Sequence, residues 1–207
     1  VSFVKLIENH RDKLPPGIKF IVMCERAEVP TSKFADFLCY EDLIEYGDED
    51  YEWPIFPEDT ASGLCYTSGT TGKPKGVLYS NRSTVLHALL AGITLPDSFS
   101  VGRKILPIVP LFHANAWGLP YTAPLTGSSL VFPGQKLDGK SIYDLLEEFE
   151  VFSAWGVPTV WFSLLDEIEN RGRKPKGLSE MIVGGSAAPR SLIAKFEEIN
   201  VTVVHAW

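Results

Sequence analysis

The stretch Tyr66-Thr67-Ser68-Gly69-Thr70-Thr71-Gly72-Lys73-Pro74-Lys75-Gly76 is the most informative part of the sequence. Its glycines allow the backbone to fold tightly and to turn amide groups toward an anion. Its hydroxyl side chains add hydrogen-bond donors, and its two lysines supply positive charge for a polyphosphate. The stretch therefore predicts a phosphate-binding loop. The alternative is a flexible turn that only joins two strands.

Two common nucleotide-binding motifs do not describe this loop. A Walker A loop has four residues between its two glycines and a Ser or Thr directly after its lysine. Here two residues separate Gly69 from Gly72, and Pro74 follows Lys73. The spacing does not fit GxGxxG either. The loop therefore belongs to another class of phosphate-binding site.

Outward from the loop, short apolar runs alternate with helix-like segments. A buried strand is predicted at residues 18–24, and further strands are predicted at 64–67, 76–79, 105–109, 129–132, 152–155, 181–183 and 201–205. Helices are predicted to begin at Ser80 or Asn81, near Trp117, and at Ser141, Pro158 and Pro189. This alternation predicts an α/β fold with a mostly parallel sheet flanked by helices. Ligands of such folds bind beyond the carboxyl ends of strands, which directs attention to the residues after Tyr66, Pro110, Gly184 and Ala206.

The distribution of charge argues against one class of partner. The net charge is −7, and nine carboxylates without any Lys or Arg lie between Glu41 and Asp59. A general nucleic-acid-binding protein carries a basic stripe, so no nucleic-acid partner is predicted. The acidic run is interpreted as a solvated surface segment.

Cysteine and proline usage indicate the environment of the protein. The three cysteines have no pair spacing and form no CxxC, so neither a disulfide framework nor a zinc site is predicted. A reducing, cytoplasmic location is expected. Residues 105–135 carry no charge but contain five prolines and three glycines, and so no transmembrane segment is predicted.

Two later segments carry further candidate binding residues. His113 follows a predicted strand in Val109-Pro110-Leu111-Phe112-His113-Ala114-Asn115-Ala116-Trp117, where a neutral imidazole can donate to a carboxylate. Gly184 lies at a strand end in Val183-Gly184-Gly185-Ser186-Ala187-Ala188-Pro189, where a flat ligand can approach the backbone closely. Each candidate has a structural alternative. His113 and Trp117 could be core residues, and the Gly184-Gly185 pair could be a plain strand–turn–helix junction.

The loop and these two segments, in this order, resemble three motifs of the adenylate-forming superfamily, which includes acyl-CoA synthetases and other AMP-dependent ligases. The resemblance implies that the loop binds the β- and γ-phosphates of ATP, and that Thr67 or a neighbouring hydroxyl helps to position Mg²⁺. It also implies that His113, Trp117 and Gly184 bind the acid substrate, with Trp117 as a gate between acyl tunnel and nucleotide pocket. The implied ATP-binding residues are Thr67, Ser68, Gly69, Thr70, Thr71, Gly72, Lys73, Lys75, Gly185, Ser186, Ala187, His205, Ala206 and Trp207. No protein nucleophile is implied, and so no catalytic residue is predicted.

Within the superfamily, the later segments look most like those of bacterial medium- and long-chain fatty acyl-CoA synthetases. The implied reaction converts a fatty or other apolar carboxylic acid to an acyl-adenylate with ATP, and then to acyl-CoA with coenzyme A. Two alternatives remain open. The acyl group could pass to a carrier protein or another acceptor, or the chain could be an inactive nucleotide-binding lobe.

Residues 1–207 are expected to be a fragment of the large N-terminal AMP-binding domain of such an enzyme. The superfamily's next motif would begin at Trp207, and the resemblance implies that the C-terminal domain is absent from this chain. We expect the fragment alone to be inactive. We also expect poor solubility or a homodimer formed through its last strand.

Overall fold

The computed structural model describes residues 3–32, 37–69 and 72–206. The chain forms two compact units, Val1–Ile55 and Phe56–Trp207. The first unit holds a helix, two strands and a second helix, with bounds α1 (Val4–Asn9), β1 (Phe20–Val22), β2 (Phe37–Cys39) and α2 (Tyr40–Glu45). Strands β1 and β2 pair in parallel, and Arg26 forms ion pairs with Asp42 and Glu45 of α2. The strand predicted over residues 18–24 is shorter than expected, because β1 covers only Phe20–Val22.

The second unit begins with a β-hairpin, formed by β3 (Ala61–Thr67) and β4 (Lys75–Ser80). Thr67 pairs with Lys75, and the two strands are antiparallel. The hairpin is a separate two-stranded sheet, although the sequence had suggested that its loop lies at the carboxyl edge of the parallel sheet. The connection from Ser68 to Pro74 is too short for a parallel crossover, which requires a dozen or more residues.

The rest of the second unit alternates helices and strands. In chain order they are α3 (Asn81–Thr94), β5 (Lys104–Pro107), α4 (Ala114–Trp117), α5 (Leu119–Thr126), β6 (Ser129–Leu130), α6 (Gly139–Glu148), β7 (Ser153–Gly156), α7 (Pro158–Arg171), β8 (Glu180–Val183), α8 (Arg190–Glu198) and β9 (Thr202–His205). The five strands form one sheet in the order β6-β5-β7-β8-β9, and every neighbouring pair is parallel. The predicted α/β class with a parallel sheet flanked by helices is confirmed.

Helix starts follow local capping chemistry. Ser80 caps α3 by accepting a hydrogen bond from the Ser83 backbone, and the Ser83 side chain reaches back to complete a capping box. The start predicted at Ser141 is wrong, because Asp138 caps α6 and accepts from the Ser141 backbone at 3.0 Å. A carboxylate satisfies a free amide of the first turn as well as a hydroxyl does.

Apolar side chains alternate between the two faces of the sheet and fill two core clusters. Leu106, Ala154 and Met181 face one cluster, where they meet residues of α6, α7 and α8. Ile105, Trp155 and Ile182 face the other cluster, which includes Leu119 of α5. Burial on both faces explains the continuously apolar strands.

A buried polar cluster lies where β7 and β8 begin. The Glu180 carboxylate accepts hydrogen bonds from the Ser98 and Ser153 hydroxyls. The Trp155 indole donates to the Ser153 hydroxyl at 2.9 Å. The cluster lies at the amino ends of the parallel strands. From there it holds the Trp155 indole through the hydrogen bond to Ser153.

Ion pairs join α6 to the segment that follows α7. The Arg173 guanidinium donates two hydrogen bonds of 2.9 Å to the Glu147 carboxylate, and the Lys176 backbone amide donates a third at 2.8 Å. These hydrogen bonds lower the pKa of Glu147 from 4.5 to about 2, and the hydrogen bonds from Arg173 contribute most.

No helix in the described part of the chain is long and apolar enough to cross a membrane.

Candidate functional site

The strand order places a crevice at the carboxyl ends of β5 and β7. From β5 the chain proceeds to β6 on one side, and then returns to β7 on the other side. Where the order reverses in this way, the connections leave on opposite faces of the sheet and open a crevice that typically binds ligands. The segment that follows β5 contains α4, and the ends of β8 and β9 lie farther along the same edge.

The loop of the hairpin folds back on itself at Gly69. Gly69 has φ +65°, and a Cβ at this position would overlap the backbone carbonyl oxygen of Lys73. Gly72 has φ +76° but open space around it. Both glycines thus adopt the left-handed backbone that the tight turn requires. The predicted residues Thr70 and Thr71 lie outside the described residues.

The two lysines of the loop are available to an anion. Lys73 and Lys75 are exposed, and neither forms an ion pair with a carboxylate of the described residues. By contrast, Arg82 at the start of α3 is paired with Glu58 at 2.9 Å. The exposed Thr67 and Ser68 hydroxyls lie on the same loop. The loop can therefore present unpaired positive charge and hydroxyl donors to a polyphosphate.

The segment after β5 contains an unusual backbone turn. All four residues of α4 have positive φ, with values of +46° at Ala114, +50° at Asn115, +48° at Ala116 and +56° at Trp117. A left-handed turn costs about 1–2 kcal/mol per residue for L-amino acids, and strain of this kind is concentrated at functional sites. The short right-handed helix predicted near Trp117 begins only at Leu119.

Contacts from other elements hold this turn. The Cys65 thiol of β3 donates to the Asn115 side-chain oxygen at 3.3 Å. On the other side, His87 of α3 is hydrogen-bonded to the Trp117 carbonyl at 3.1 Å. Ala116 is fully buried between them in the core cluster that faces α5. The turn is therefore fixed between the hairpin and α3.

The indole of Trp117 points to the ends of β7, β8 and β9. Its ring centroid lies 6.3 Å from that of Trp155. A Cβ added to the buried Gly184 would come within 2.7 Å of the Trp117 Cη2 atom and within 3.3 Å of the Ala206 carbonyl oxygen. Two predicted substrate-binding residues, Trp117 and Gly184, are thus in direct contact, and Ala206 from the predicted nucleotide wall lies next to them.

A cavity of about 630 Å³ opens beside this contact. One side is formed by α3 and by Tyr79 of β4, and the rest is formed by α4, α5 and the ends of the parallel strands. The lining residues are Tyr79, Ser83, Thr84, His87, Ala91, Thr94, Leu95, Ala114, Asn115, Trp117, Gly118, Tyr121, Trp155, Gly184, Gly185 and Ala206. Its wall combines indole rings and aliphatic groups with a few polar side chains, as in sites for small organic ligands.

The ends of β8 and β9 are joined to each other. The Ala206 amide donates to the Val183 carbonyl at 2.7 Å, and His205 is hydrogen-bonded to the Ser186 carbonyl at 3.4 Å. Gly185 has φ +76°, so the chain turns sharply there. Ser186, Ala187 and His205 are exposed at this edge, whereas Trp207 lies outside the described residues. The structure thus brings together the two segments predicted to face the nucleotide.

His113 occupies a different position from Trp117. Its imidazole is exposed and does not line the cavity, and it has no hydrogen-bond partner among the described residues. It is therefore not a core histidine. Its predicted contact with a carboxylate stays a prediction.

The described residues do not by themselves build a metal site. They contain no group of three or more His, Cys, Asp or Glu side chains that could hold a metal ion. Thr67 offers one exposed hydroxyl, whereas Mg²⁺ in proteins is usually held by carboxylates together with substrate phosphates. The metal role of Thr67 therefore stays a prediction.

Sequence reasoning missed His87 and Trp155 as cavity residues. Neither belongs to the three motifs. A signal was present in α3, because Thr84, His87 and Ala91 recur at helical spacing and share one face.

Comparison with known proteins gives one family. The family model of AMP-binding enzymes matches residues 10–207. The whole chain aligns at 44% identity with a 3-methylmercaptopropionyl-CoA ligase of Ruegeria lacuscaerulensis and at 45% with a medium-chain-fatty-acid–CoA ligase of Ectopseudomonas oleovorans. In each case it spans 38% of the relative's length. The fold resembles that of the anthranilate CoA ligase AuaEII in complex with anthranoyl-AMP, with a TM-score of 0.81 and 22% identity over 100% of this chain and 39% of that one.

Proposed function

Because this chain belongs to the AMP-binding enzyme family, we propose that the full-length protein activates a carboxylic acid with ATP and transfers the acyl group to coenzyme A. The observation that carries this proposal is the convergence of Trp117, Gly184 and Ala206 in the wall of one cavity. These residues come from three separate segments, and the sequence of each segment predicts a binding role. On this proposal residues 1–207 are part of the larger, N-terminal domain of the enzyme.

The proposed reaction has two steps. A carboxylate oxygen of the acid attacks the α-phosphorus of ATP, and the bond to pyrophosphate breaks, which leaves an acyl-adenylate. The thiolate of coenzyme A then attacks the acyl carbonyl carbon and displaces AMP. Neither step needs a nucleophile from the protein, and so catalysis consists of alignment and stabilisation of charge.

In this mechanism the hairpin loop holds the triphosphate. Lys73 and Lys75 neutralise phosphate charge, and the hydroxyls of Thr67 and Ser68 donate hydrogen bonds. The backbone amides of Gly69 and Gly72, with the side chains of Thr70 and Thr71, complete the binding set. A magnesium ion bound to the triphosphate would supply additional charge neutralisation, and Thr67 is its proposed contact on this chain.

The strand ends bind the rest of the adenylate. Gly185, Ser186 and Ala187 form one part of the proposed adenine wall, and His205, Ala206 and Trp207 form the other. The hydrogen bond between His205 and the Ser186 carbonyl supports this assignment, because it joins the two parts. His113, exposed at the same edge of the sheet, is the proposed donor to the acid carboxylate.

The cavity is the proposed site of the acyl chain, and a fatty or other apolar acid is the proposed substrate. Trp117 and Trp155 supply apolar surface near the strand ends, and Ala91 of α3 and Leu95, which follows α3, supply it on the other side. Relatives named for a medium-chain fatty acid and for 3-methylmercaptopropionate are almost equally similar. Both substrates are small acids with a partly apolar chain, which agrees with this wall.

The direct test is ATP–pyrophosphate exchange by the full-length protein with a panel of acids. We expect exchange with apolar acids, and formation of acyl-CoA when coenzyme A is added. Lys73→Ala and Lys75→Ala should each slow exchange by about ten- to a hundredfold, the scale of a charge-assisted hydrogen bond of ~1.5–3 kcal/mol. Lys136→Ala removes an exposed positive charge outside the site and is the matched control.

The outcomes separate the alternatives. Unchanged exchange in both loop variants would remove the loop from the mechanism. Adenylation followed by transfer only to a carrier protein would replace coenzyme A as the acceptor. ATP binding without pyrophosphate release from any acid would identify a nucleotide-binding protein without ligase activity.

A further inference from the structure

Cys24 and Cys39 lie next to each other in the first unit, although they are 15 positions apart in sequence. Strands β1 and β2 pair in parallel, and their pairing ends with Val22 opposite Cys39. The Cys39 thiol donates to the Cys24 carbonyl oxygen, with 3.6 Å between sulfur and oxygen. Because a carbonyl oxygen lies ~2.4 Å from its own Cα atom, the Cys39 sulfur lies within about 6 Å of the Cys24 Cα atom. The two cysteines are therefore neighbours.

Both side chains belong to the same face of this two-stranded sheet. Phe20 and Phe37 share a face, since their ring centroids are 5.8 Å apart. Side chains alternate between the faces along a strand. Cys39 comes two residues after Phe37, and Cys24 comes four residues after Phe20, so the alternation places both cysteines on the face of the phenylalanines. Burial agrees with this placement, because Met23 is 78% exposed whereas Cys39 is 4% exposed.

Contacts on both sides hold the two cysteines together. The pairing of β1 with β2 precedes them. Beyond them, Arg26 forms ion pairs with Asp42 and Glu45 of α2, the helix that begins directly after Cys39. The segment that carries Cys24 is thus joined to the segment that carries Cys39 at two points. Fixed proximity of this kind raises the effective concentration of one thiol at the other.

The two thiols differ in their access to solvent. Cys24 is half-buried, whereas Cys39 is buried, and all three cysteines of the chain are free thiols. Oxidation of cysteine follows the exposure of its sulfur, so a small oxidant reaches Cys24 first. Cys39 is then the neighbouring thiol that can attack the oxidised sulfur. Cys65, buried in the second unit, instead donates its thiol hydrogen to the Asn115 side chain.

We propose that Cys24 and Cys39 form a site of reversible oxidation by small hydroperoxides. The Cys24 thiolate attacks one peroxide oxygen and the O–O bond breaks, which leaves a sulfenic acid. The other oxygen takes up a proton and leaves as water or an alcohol. The Cys39 thiolate then attacks the Cys24 sulfur, the S–O bond breaks, and the hydroxide leaves as water after it takes up a proton.

The product is a disulfide that closes the loop from residue 24 to residue 39. The two thiols are oxidised and the peroxide is reduced, so that electrons balance. The pairing of β1 ends at Val22, and Cys24 can therefore approach Cys39 without breaking a strand pair. Disulfides in reducing compartments are transient and are used in redox sensing. The site does not depend on the proposed ligase reaction.

Peptide mapping of the full-length protein tests the proposal. The reduced protein is treated with a small excess of hydrogen peroxide, and the remaining thiols are blocked with N-ethylmaleimide. Trypsin and a glutamate-specific protease then release Cys24 in peptide 20–25 and Cys39 in peptide 34–41, separate from Cys65. We expect these two peptides to be cross-linked, with a mass ~2 Da below the sum of their reduced forms. Dithiothreitol should remove the cross-link.

Variants test the order of the two steps. Cys39→Ser removes the second thiol, so Cys24 should remain a sulfenic acid that dimedone traps on peptide 20–25. If Cys39→Ser does not fold, Cys39→Ala replaces it with the same readout. Cys24→Ser should give no cross-link. Cys65→Ser is the matched control, because it removes a buried thiol of the other unit, and it should leave the cross-link unchanged.

The same treatment in urea tests whether the fold selects this pair. The unfolded chain should also give pairs with Cys65, because loop closure depends only weakly on the number of residues in the loop. The folded protein should give Cys24–Cys39 as the main product. Absence of this cross-link from the folded protein, or the same mixture of pairs with and without urea, overturns the proposal. Absence of a dimedone adduct on Cys24 in Cys39→Ser and Cys39→Ala overturns it as well.

Discussion

An alanine at Gly184 would test the contact at the centre of the site. Gly184 is buried, and its backbone is outside the left-handed region, so Gly184→Ala introduces no backbone strain. The new methyl group would lie 2.7 Å from Cη2 and 3.1 Å from Cζ2 of Trp117. Since ordinary contacts begin at 3.4 Å, the indole must move by about 0.7 Å. Overpacking of this kind costs about 1–3 kcal/mol.

A double-mutant cycle isolates that cost from other effects of the methyl group. The free energy of unfolding is measured in urea for the unmodified full-length protein, Gly184→Ala, Trp117→Ala and the double variant. With Trp117 truncated, the nearest atom to the methyl group is the Ala206 carbonyl oxygen at 3.3 Å. Gly184→Ala should then cost less than about 0.5 kcal/mol, and the coupling between the two sites should be about 1–2 kcal/mol.

Enzyme assays on the same variants give a second measure. Gly184→Ala should reduce kcat/KM for the acid more than for ATP, because the indole moves within the proposed acyl site. Gly134→Ala is the matched control, since a Cβ there meets no atom within 4 Å and the backbone is not left-handed. An equal cost of Gly184→Ala with and without the indole would refute the reasoning, because the methyl group would then not be in contact with Trp117.

Three further predictions concern other parts of the second unit. The pKa of Glu147 is lower in the folded protein than in the unfolded chain, so its stabilisation is present above pH 4.5 and is lost as the pH falls toward 2. The urea midpoint should therefore change less between pH 2 and 5 in Glu147→Gln than in the unmodified protein. An equal pH dependence of the midpoint in both proteins would contradict the lowered pKa of Glu147. Ala114→Gly should leave the unfolding free energy unchanged or raise it by up to ~1 kcal/mol, because φ is +46° there. Ala194→Gly, at an exposed position of α8, should lower it by about 1 kcal/mol, and similar losses in both would disprove the left-handed turn. Gly69→Ala should slow ATP–pyrophosphate exchange about a hundredfold, the effect of misplacing a binding group by ~1 Å. Gly72→Ala, which strains the backbone without an overlap, should slow it less, and the reverse order would count against the loop geometry.

The parallel sheet could be predicted because its strands are apolar on both faces. The run over residues 152–155 is uncharged and is followed by a helix start at Pro158, which is the pattern of a strand covered by helices. Strand ends were less accurate. Only Ser129–Leu130 pair in the run predicted over residues 129–132, because β6 is an edge strand and has one neighbour.

The left-handed turn could not be predicted from local sequence. Ala114 and Ala116 are good helix formers in the right-handed sense, and the turn contains no glycine. Its conformation depends on Cys65, which meets Asn115, and on His87, which meets Trp117. These partners are distant in sequence, and a pattern of spacing does not reveal them.

The candidate site was predicted in part. Trp117, Gly184, Gly185 and Ala206 line the cavity, because the motifs that contain them end at the same edge of the sheet. His113 does not line it, although it belongs to the same segment as Trp117. The turn explains the difference, since reversing the backbone hand between these residues directs their side chains to different sides.

The antiparallel hairpin has a consequence for the order in which the chain folds. Strands β3 and β4 are joined by a short loop, so that Thr67 meets Lys75, whereas β7 and β8 are joined by a crossover through α7, so that Ser153 meets Glu180. Closing a short loop is fast, and hairpins form in microseconds, whereas parallel pairing must wait for distant segments to meet. The segment proposed to hold the phosphates is therefore free to reach its native pairing early. The cavity beside it exists only once the slowest contacts of the sheet have been made.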